Sequence, residues 1–280
     1  MSKKLIPFAL AYDFDGTLAP GNIQEYDFVP AIKMTKKAFW KDVEYLSKKN
    51  NADNILMYMM HMLDKASAVQ VSVHKEDFIK FGRSVRLFKG VVDWFDRINK
   101  YGKEKGVKVQ HYIISSGIHE MIEGTLIAKK FKAIYASSFV YDHNGGAKWP
   151  ALAVNYTTKT QFLFRINKGV LNIYDNRKIN EYVPKEDRSV PFNNMVFIGD
   201  GETDIPCFRT VKSQDGHSIA VYKPKTHDAK KKAEKLIKDG RVNFIAPADY
   251  SENSEMDTFV KRIIDKVAAD NALKKLGKKE

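Results

Sequence analysis

With one cysteine, Cys207, in 280 residues, the chain has no partner for an intrachain disulfide. It must hold itself together by core burial, and a lone thiol fits a reducing, cytoplasmic setting. Lying in Ile205-Pro206-Cys207-Phe208, the thiol reads as core packing rather than as a nucleophile. Long apolar runs are also missing. Nothing approaches 18 uninterrupted apolar residues, so a membrane-spanning helix is not expected. Met1-Ser2-Lys3-Lys4 ahead of the apolar residues 5–12 imitates a signal peptide, but Asp13 and Asp15 interrupt it and no small-residue cleavage site follows. Acid is the scarcer charge, with 34 Asp and Glu against 47 Lys and Arg, net +13. That excess suits anions, phosphate esters or nucleic acid. Its richest runs, residues 229–235 and 274–280, have no interleaved aromatics for stacking on bases and read as a solvated helix face and a tail.

What the chain does have begins with residues 5–12, an apolar run of strand length, followed by Asp13-Phe14-Asp15-Gly16-Thr17. Residues two apart on a strand share a face, so Asp13 and Asp15 converge if the strand reaches them. Two carboxylates held together need a cation or a shared proton. The plainer alternative is an Asp-Gly turn with both acids solvated. Residues 30–87 then read as a helical insert, with an amphipathic helix over 35–50, a helix over 54–69 that is apolar on more than one face and so buried between neighbours or facing a cleft, and a third over 74–86. The second carries Met57, Met59, Met60 and Met62, a stripe that suits core packing or an adaptable pocket wall.

From residue 87 onward strands and helices alternate. Strands are expected at 109–114, 133–140, 195–198, 218–222 and 242–245, and helices at 91–101, 118–124, 160–173, 204–211, 228–239 and 255–273. Asp142-His143-Asn144-Gly145-Gly146 predicts a turn between two short strands, and residues 175–194 an excursion loop. This alternation implies an α/β fold with a mainly parallel sheet and helices on both faces. Ligands in such folds sit beyond the carboxyl ends of the strands. Three strands end there in reactive groups: Asp13 with Asp15, Ser115, and Asp200 with Asp204.

Taken in order, these segments resemble the haloacid dehalogenase superfamily, in its phosphatase branch. Asp13-Phe14-Asp15-Gly16-Thr17 is similar to the first motif, Ile113-Ile114-Ser115 to the second, Lys159 to the third and Gly199-Asp200-Gly201-Glu202-Thr203-Asp204 to the fourth. The resemblance covers residues 5–17 and 88–250. It implies a Rossmann-like doubly wound core over 1–18 and 88–280, with residues 19–87 as an inserted α-helical cap like that of phosphoserine phosphatase-like members. It also implies Asp13 as nucleophile, Asp15 as general acid and base, and Ser115 and Lys159 as phosphate contacts. Backbone N–H groups of Ser116 and Gly117 would add donors.

Mg²⁺ is the implied cofactor, held by Asp13, the Asp15 main-chain carbonyl and Asp200, with Asp204 behind them orienting Lys159 or a metal-bound water. Lys168 is the rival for the lysine role. Asp15 points to phosphomonoester hydrolysis, because dehalogenase members generally lack that acid and transport ATPases carry Thr there. Glu25, Arg83 and Arg86 are the candidate cap contacts for the ammonium and carboxylate of a phosphorylated amino acid. The expected substrate is a small phosphorylated metabolite, with phosphoserine-like compounds first. The alternatives are a nucleic-acid terminal phosphatase, which a cap would hinder, and a non-catalytic binding protein. Oligomeric state is not legible.

Overall fold

The computed structural model describes residues 5–277; Met1-Ser2-Lys3-Lys4 and the last three residues of the 274–280 run lie outside the described residues. β1 (Ile6–Tyr12) is fully buried from Phe8 to Tyr12. A strand covered on both faces shows a continuous apolar run rather than alternation. Its faces feed different cores: Phe8, Leu10 and Tyr12 join one cluster, Ala9 and Ala11 the other.

The chain then turns helical, through a 3-10 turn at Ile23–Glu25, α1 (Phe28–Ala31), α2 (Lys36–Asn50), α3 (Asn54–Ala68) and α4 (Lys75–Gly82). Thr35 Oγ1 caps α2 through the Ala38 N–H, and Asp53 Oδ1 caps α3 through those of Ile55 and Leu56, at 2.8 and 3.1 Å. The core resumes with α5 (Val91–Glu104), β2 (Val107–Ile118), α6 (His119–Glu123), β3 (Ala133–Tyr141), β4 (Ala147–Leu152), α7 (Lys159–Lys168) and α8 (Asn176–Asn180). It continues with β5 (Met195–Gly199), α9 (Ile205–Ser213), β6 (His217–Tyr222), α10 (His227–Lys238), β7 (Phe244–Pro247) and α11 (Glu255–Leu276).

The seven strands run in the order β4-β3-β2-β1-β5-β6-β7, all pairs parallel except β3 with β4. The chain therefore fills one side of β1 and then crosses to the other, placing a topological switch point at the carboxyl ends of β1 and β5. Register does the rest. Tyr12 pairs with Ile113 on one side and Ile198 on the other, so Asp13 leaves the sheet level with the start of the Gly199-Asp200 turn.

Several boundaries differ from expectation. α4 stops at Gly82, not 86: a Cβ there would collide with the Met121 carbonyl, and one at Gly124 with the Ile79 carbonyl, so α4 packs directly on the α6 segment. α7 ends at Lys168 because Gly169 adopts a left-handed conformation, φ 75°. β2 runs through to Ile118 with a register shift between Ser115 and Ile118. The 175–194 excursion contains the short α8.

The insert is also tied to the sheet's edge. Val73 accepts the Ala147 N–H at 3.0 Å, His74 bridges Gly146, and Asn155 Nδ2 donates to Asp53 Oδ2 at 2.8 Å. Beneath β1, Trp94 Nε1 donates to the Tyr12 hydroxyl at 2.8 Å, which sits 3.0 Å from His111 Nδ1, while His111 Nε2 lies 3.1 Å from Asn99 Oδ1. That chain of bonds assigns His111 a neutral imidazole with its proton on Nε2. No helix among the described residues is long and apolar enough to cross a membrane.

Candidate active site

The alternation of β1 aims Asp13 at the same face as Ala9 and Ala11, where α7 and α9 pack. Its N–H donates to the Ile198 carbonyl at 2.8 Å, which fastens it to β5. Lys159, the first residue of α7, is fully buried on that face, with Nζ 3.1 Å from Asp13 Oδ1 and 2.8 Å from Asp204 Oδ1. The other Asp204 oxygen accepts the N–H groups of Asp200 (3.1 Å) and Gly201 (3.3 Å), so Asp204 shapes the loop after β5 with both oxygens engaged. Gly16 permits the closing contact: at φ 71° it turns the chain where any Cβ would overlap the Asp200 carboxylate.

Asp15 Oδ1 accepts the Ile23 N–H at 2.8 Å, which joins the acid to the first turn of the insert. A Cβ on Gly117 would stand 3.0 Å from Asp15 Oδ2 and 3.4 Å from Ser115 Oγ, so glycine lets these two groups share a corner. Ser115 is buried, and its Oγ accepts the Gly117 N–H at 3.0 Å, leaving its hydroxyl proton free.

Four carboxylates thus surround one ammonium. Burial pushes Asp13 up to about 6, Lys159 pulling the other way and Asp204 adding to the rise. Burial and the charge of Asp13 raise Asp15 well above the usual carboxylate range. Asp200 stands at the exposed rim, yet enclosure by protein, with Asp204 and Asp13 nearby, raises it too. Burial alone would lower Lys159, but Asp13 and Asp204 outweigh it and hold the ammonium charged.

Ligand atoms of Asp13, Asp200 and Asp204 lie within 4.8 Å of one another. With Asp204 already engaged, Asp13 and Asp200 remain as hard oxygen donors at a site with surplus negative charge. That donor set fits a divalent cation of the Mg²⁺ type.

A cavity of about 1170 Å³ opens on these groups. Asp13, Asp15, Ser116, Lys159 and Asp200 line its floor. The insert supplies Gln24, Trp40, Asn54, Ile55 and Tyr58, and the α10 side supplies Lys223, Lys232 and Lys235. The expected cap clamp is not assembled. Glu25 is spent on Asn22 Nδ2 (2.9 Å), Trp40 Nε1 (2.8 Å) and Lys36 Nζ (3.1 Å), while Arg83 and Arg86 are exposed and outside the lining. Lys168 is also elsewhere, bonded to the carbonyls of Ile179 and Glu181 at 2.7 Å each.

Of the methionine stripe, Met59 and Met62 are fully buried, Met57 is half-buried and Met60 is exposed, while Tyr58, between Met57 and Met59, lines the cavity. The lysines of the 229–235 run are exposed, as expected of a solvated face, and Lys232 and Lys235 also line the cavity. Cys207 is buried beside the acids; burial, then Asp204, raises its thiol and keeps it protonated. Sequence reading missed Gln24, Trp40 and Tyr58. Their only signal was position, Gln24 a few residues past the first motif and the two aromatics on the helices that follow.

A family model for haloacid dehalogenase-like hydrolases matches residues 10–209. An uncharacterised protein of Borreliella burgdorferi is 30% identical over 279 residues, covering 90% of this chain and 94% of its own. Among solved structures, a HAD family hydrolase from Salmonella enterica serovar Typhi superposes with a TM-score of 0.60 at 15% identity, over 94% of this chain and 73% of that one. A phosphoserine phosphatase described as a phospho-aspartyl intermediate analogue gives 0.56 at 14% identity, over 92% and 99%.

Proposed function

The chain belongs to the haloacid dehalogenase-like hydrolase family, and from that premise we propose that it is a Mg²⁺-dependent phosphatase of small phosphate monoesters, working through an aspartyl-phosphate. One Asp13 carboxylate oxygen attacks phosphorus, and the bond from phosphorus to the ester oxygen breaks. Asp15 gives its proton to the departing alkoxide. The ionised Asp15 then takes a proton from the water that attacks phosphorus, the bond to Asp13 breaks, and inorganic phosphate leaves. Ser115 Oγ and the Ser116 N–H hold phosphoryl oxygens, while Lys159 offsets their charge; the Gly117 N–H, expected as a further donor, is taken by Ser115 Oγ instead. A Mg²⁺ ion held by Asp13, the Asp15 carbonyl and Asp200 would supply screening between the anionic nucleophile and the anionic phosphate.

In this reading residues 19–87 form a cap over a core of 1–18 and 88–280, and a location in the cytoplasm agrees with the single buried thiol. A roof of this kind favours small esters over a nucleic-acid end. The observation that carries the reading is Lys159 bridging Asp13 and Asp204 beneath an otherwise uncompensated pair, Asp15 and Asp200. The test is phosphate release by the purified protein from a broad ester panel, phosphoserine included. Turnover should vanish on chelation and return with Mg²⁺. Silence across the whole panel with Mg²⁺ present would leave a non-catalytic binder.

A further inference from the structure

We propose that the leaving group selected by this cavity is an uncharged, hydroxyl-bearing alcohol, as in a polyol or sugar phosphate, and that Gln24 with Ser116 selects it. The inference rests on the hydrolytic reading above. Gln24 is 2% exposed, lines the cavity, and has an Oε1 with no hydrogen-bond partner. Its place is informative: the Ile23 N–H bonds Asp15, so Gln24 is one residue beyond the carboxyl that would protonate the leaving oxygen. Gln24 lies near Tyr58, whose hydroxyl donates to the Ser116 carbonyl. Gln24 Oε1 is buried and takes no hydrogen bond, which leaves it as a free acceptor. Ser116 Oγ is a second buried, unpartnered group in the same lining. A carbonyl acceptor and a hydroxyl, both dry, are matched by a ligand that brings its own O–H groups.

The charges point the same way. Asn22, Gln24, Trp40, Asn54, Ile55 and Tyr58 make the insert side of the lining neutral among the described residues. A phosphorylated amino acid would set an ammonium and a carboxylate against that wall. Glu25 is already paired, and Arg83 and Arg86 are outside. The Trp40 and Tyr58 rings, 5.9 Å apart and inclined at 72°, offer apolar walls for a carbon skeleton instead.

The test compares kcat/KM, with Mg²⁺, for glycerol phosphate, sugar phosphates, phosphoserine and p-nitrophenyl phosphate. Polyol or sugar phosphates should exceed phosphoserine by at least tenfold. Gln24→Met, which keeps the length and removes the acceptor, should lower the ratio of polyol phosphate to p-nitrophenyl phosphate turnover by about 10- to 100-fold. Ser116→Ala should shift that ratio in the same direction, and circular dichroism of both variants should match the parent. A preference for phosphoserine, or a ratio unmoved in correctly folded variants, overturns the assignment. So does a preference for doubly anionic esters that strengthens at low salt, which would move recognition to the lysines of the α10 wall. Loss of all turnover in the parent, p-nitrophenyl phosphate included, would instead strike the hydrolytic reading itself.

Discussion

Along the rim of the sheet, four carboxylates and Lys159 hold one another in place; on the insert facing them, the cavity lining carries no charge. The rim groups come from the ends of β1 and β5 and the start of α7, rigid elements fixed by parallel register. The insert groups come from one turn and from α2 and α3, tied to the core by Tyr58–Ser116 and Asp53–Asn155. Chemistry and selection are therefore built from different materials. The charged rim depends on its one cation, Lys159, whereas a neutral wall can exchange one hydrogen bond for another.

Changes on the two walls should differ accordingly. Asp13→Asn removes the attacking oxygen at nearly constant shape, and kcat should fall about 10⁴-fold or more on every ester tested. Its melting temperature should stay level or rise, because one of four crowded carboxylates is gone. An Asp13→Asn enzyme that keeps turnover would end the division between the walls. Lys159→Met should cost about 10³-fold in kcat and about 3–5 kcal/mol in urea unfolding, since Asp13 and Asp204 lose the cation between them. Lys168→Met, outside the site, should leave kcat in place.

On the insert side, Gly82→Ala should destabilise the protein by about 1–3 kcal/mol, because its methyl meets the Met121 backbone. The measurable companion is a larger change in substrate ranking than in p-nitrophenyl phosphate turnover.

The last effect is on stability alone and belongs to a buried base beneath β1, outside the cavity lining. Burial lowers His111 to about 3, so below about pH 6.5 the unfolded chain binds a proton that the folded chain refuses. Stability should fall by about 1.4 kcal/mol per pH unit as pH drops from about 6.5 toward 3, and His111→Gln should flatten that slope.

Much of the rim was legible in the amino-acid order. Residues 5–12 are apolar because β1 is buried on both faces, and the acids sit beside Gly16, where the chain turns at positive φ, and Gly199, where a Cβ would overlap the Asp204 carboxylate. Lys159 was separable from Lys168 because it begins a helix instead of lying inside one. The insert was legible as helices but not as a surface. Glu25, Arg83 and Arg86 have the right chemistry for a phosphorylated amino acid, yet Arg83 and Arg86 follow α4, which docks on the α6 segment, while the cavity is lined from α2 and α3, a long-range arrangement. Periodicity separates buried from exposed positions; it does not separate a core from a binding pocket, and so Tyr58 was hidden among methionines.

The ties between the insert and the edge of the sheet bear on traffic. Besides its two chain ends, the roof is riveted at Val73–Ala147, at Asp53–Asn155 and along the α4–α6 seam. A plate pinned at several separated points can bow, but it cannot swing like a door. A phosphate in the cavity meets Lys223 and Lys232 on the α10 side, whose positive charge would draw it in and slow its departure.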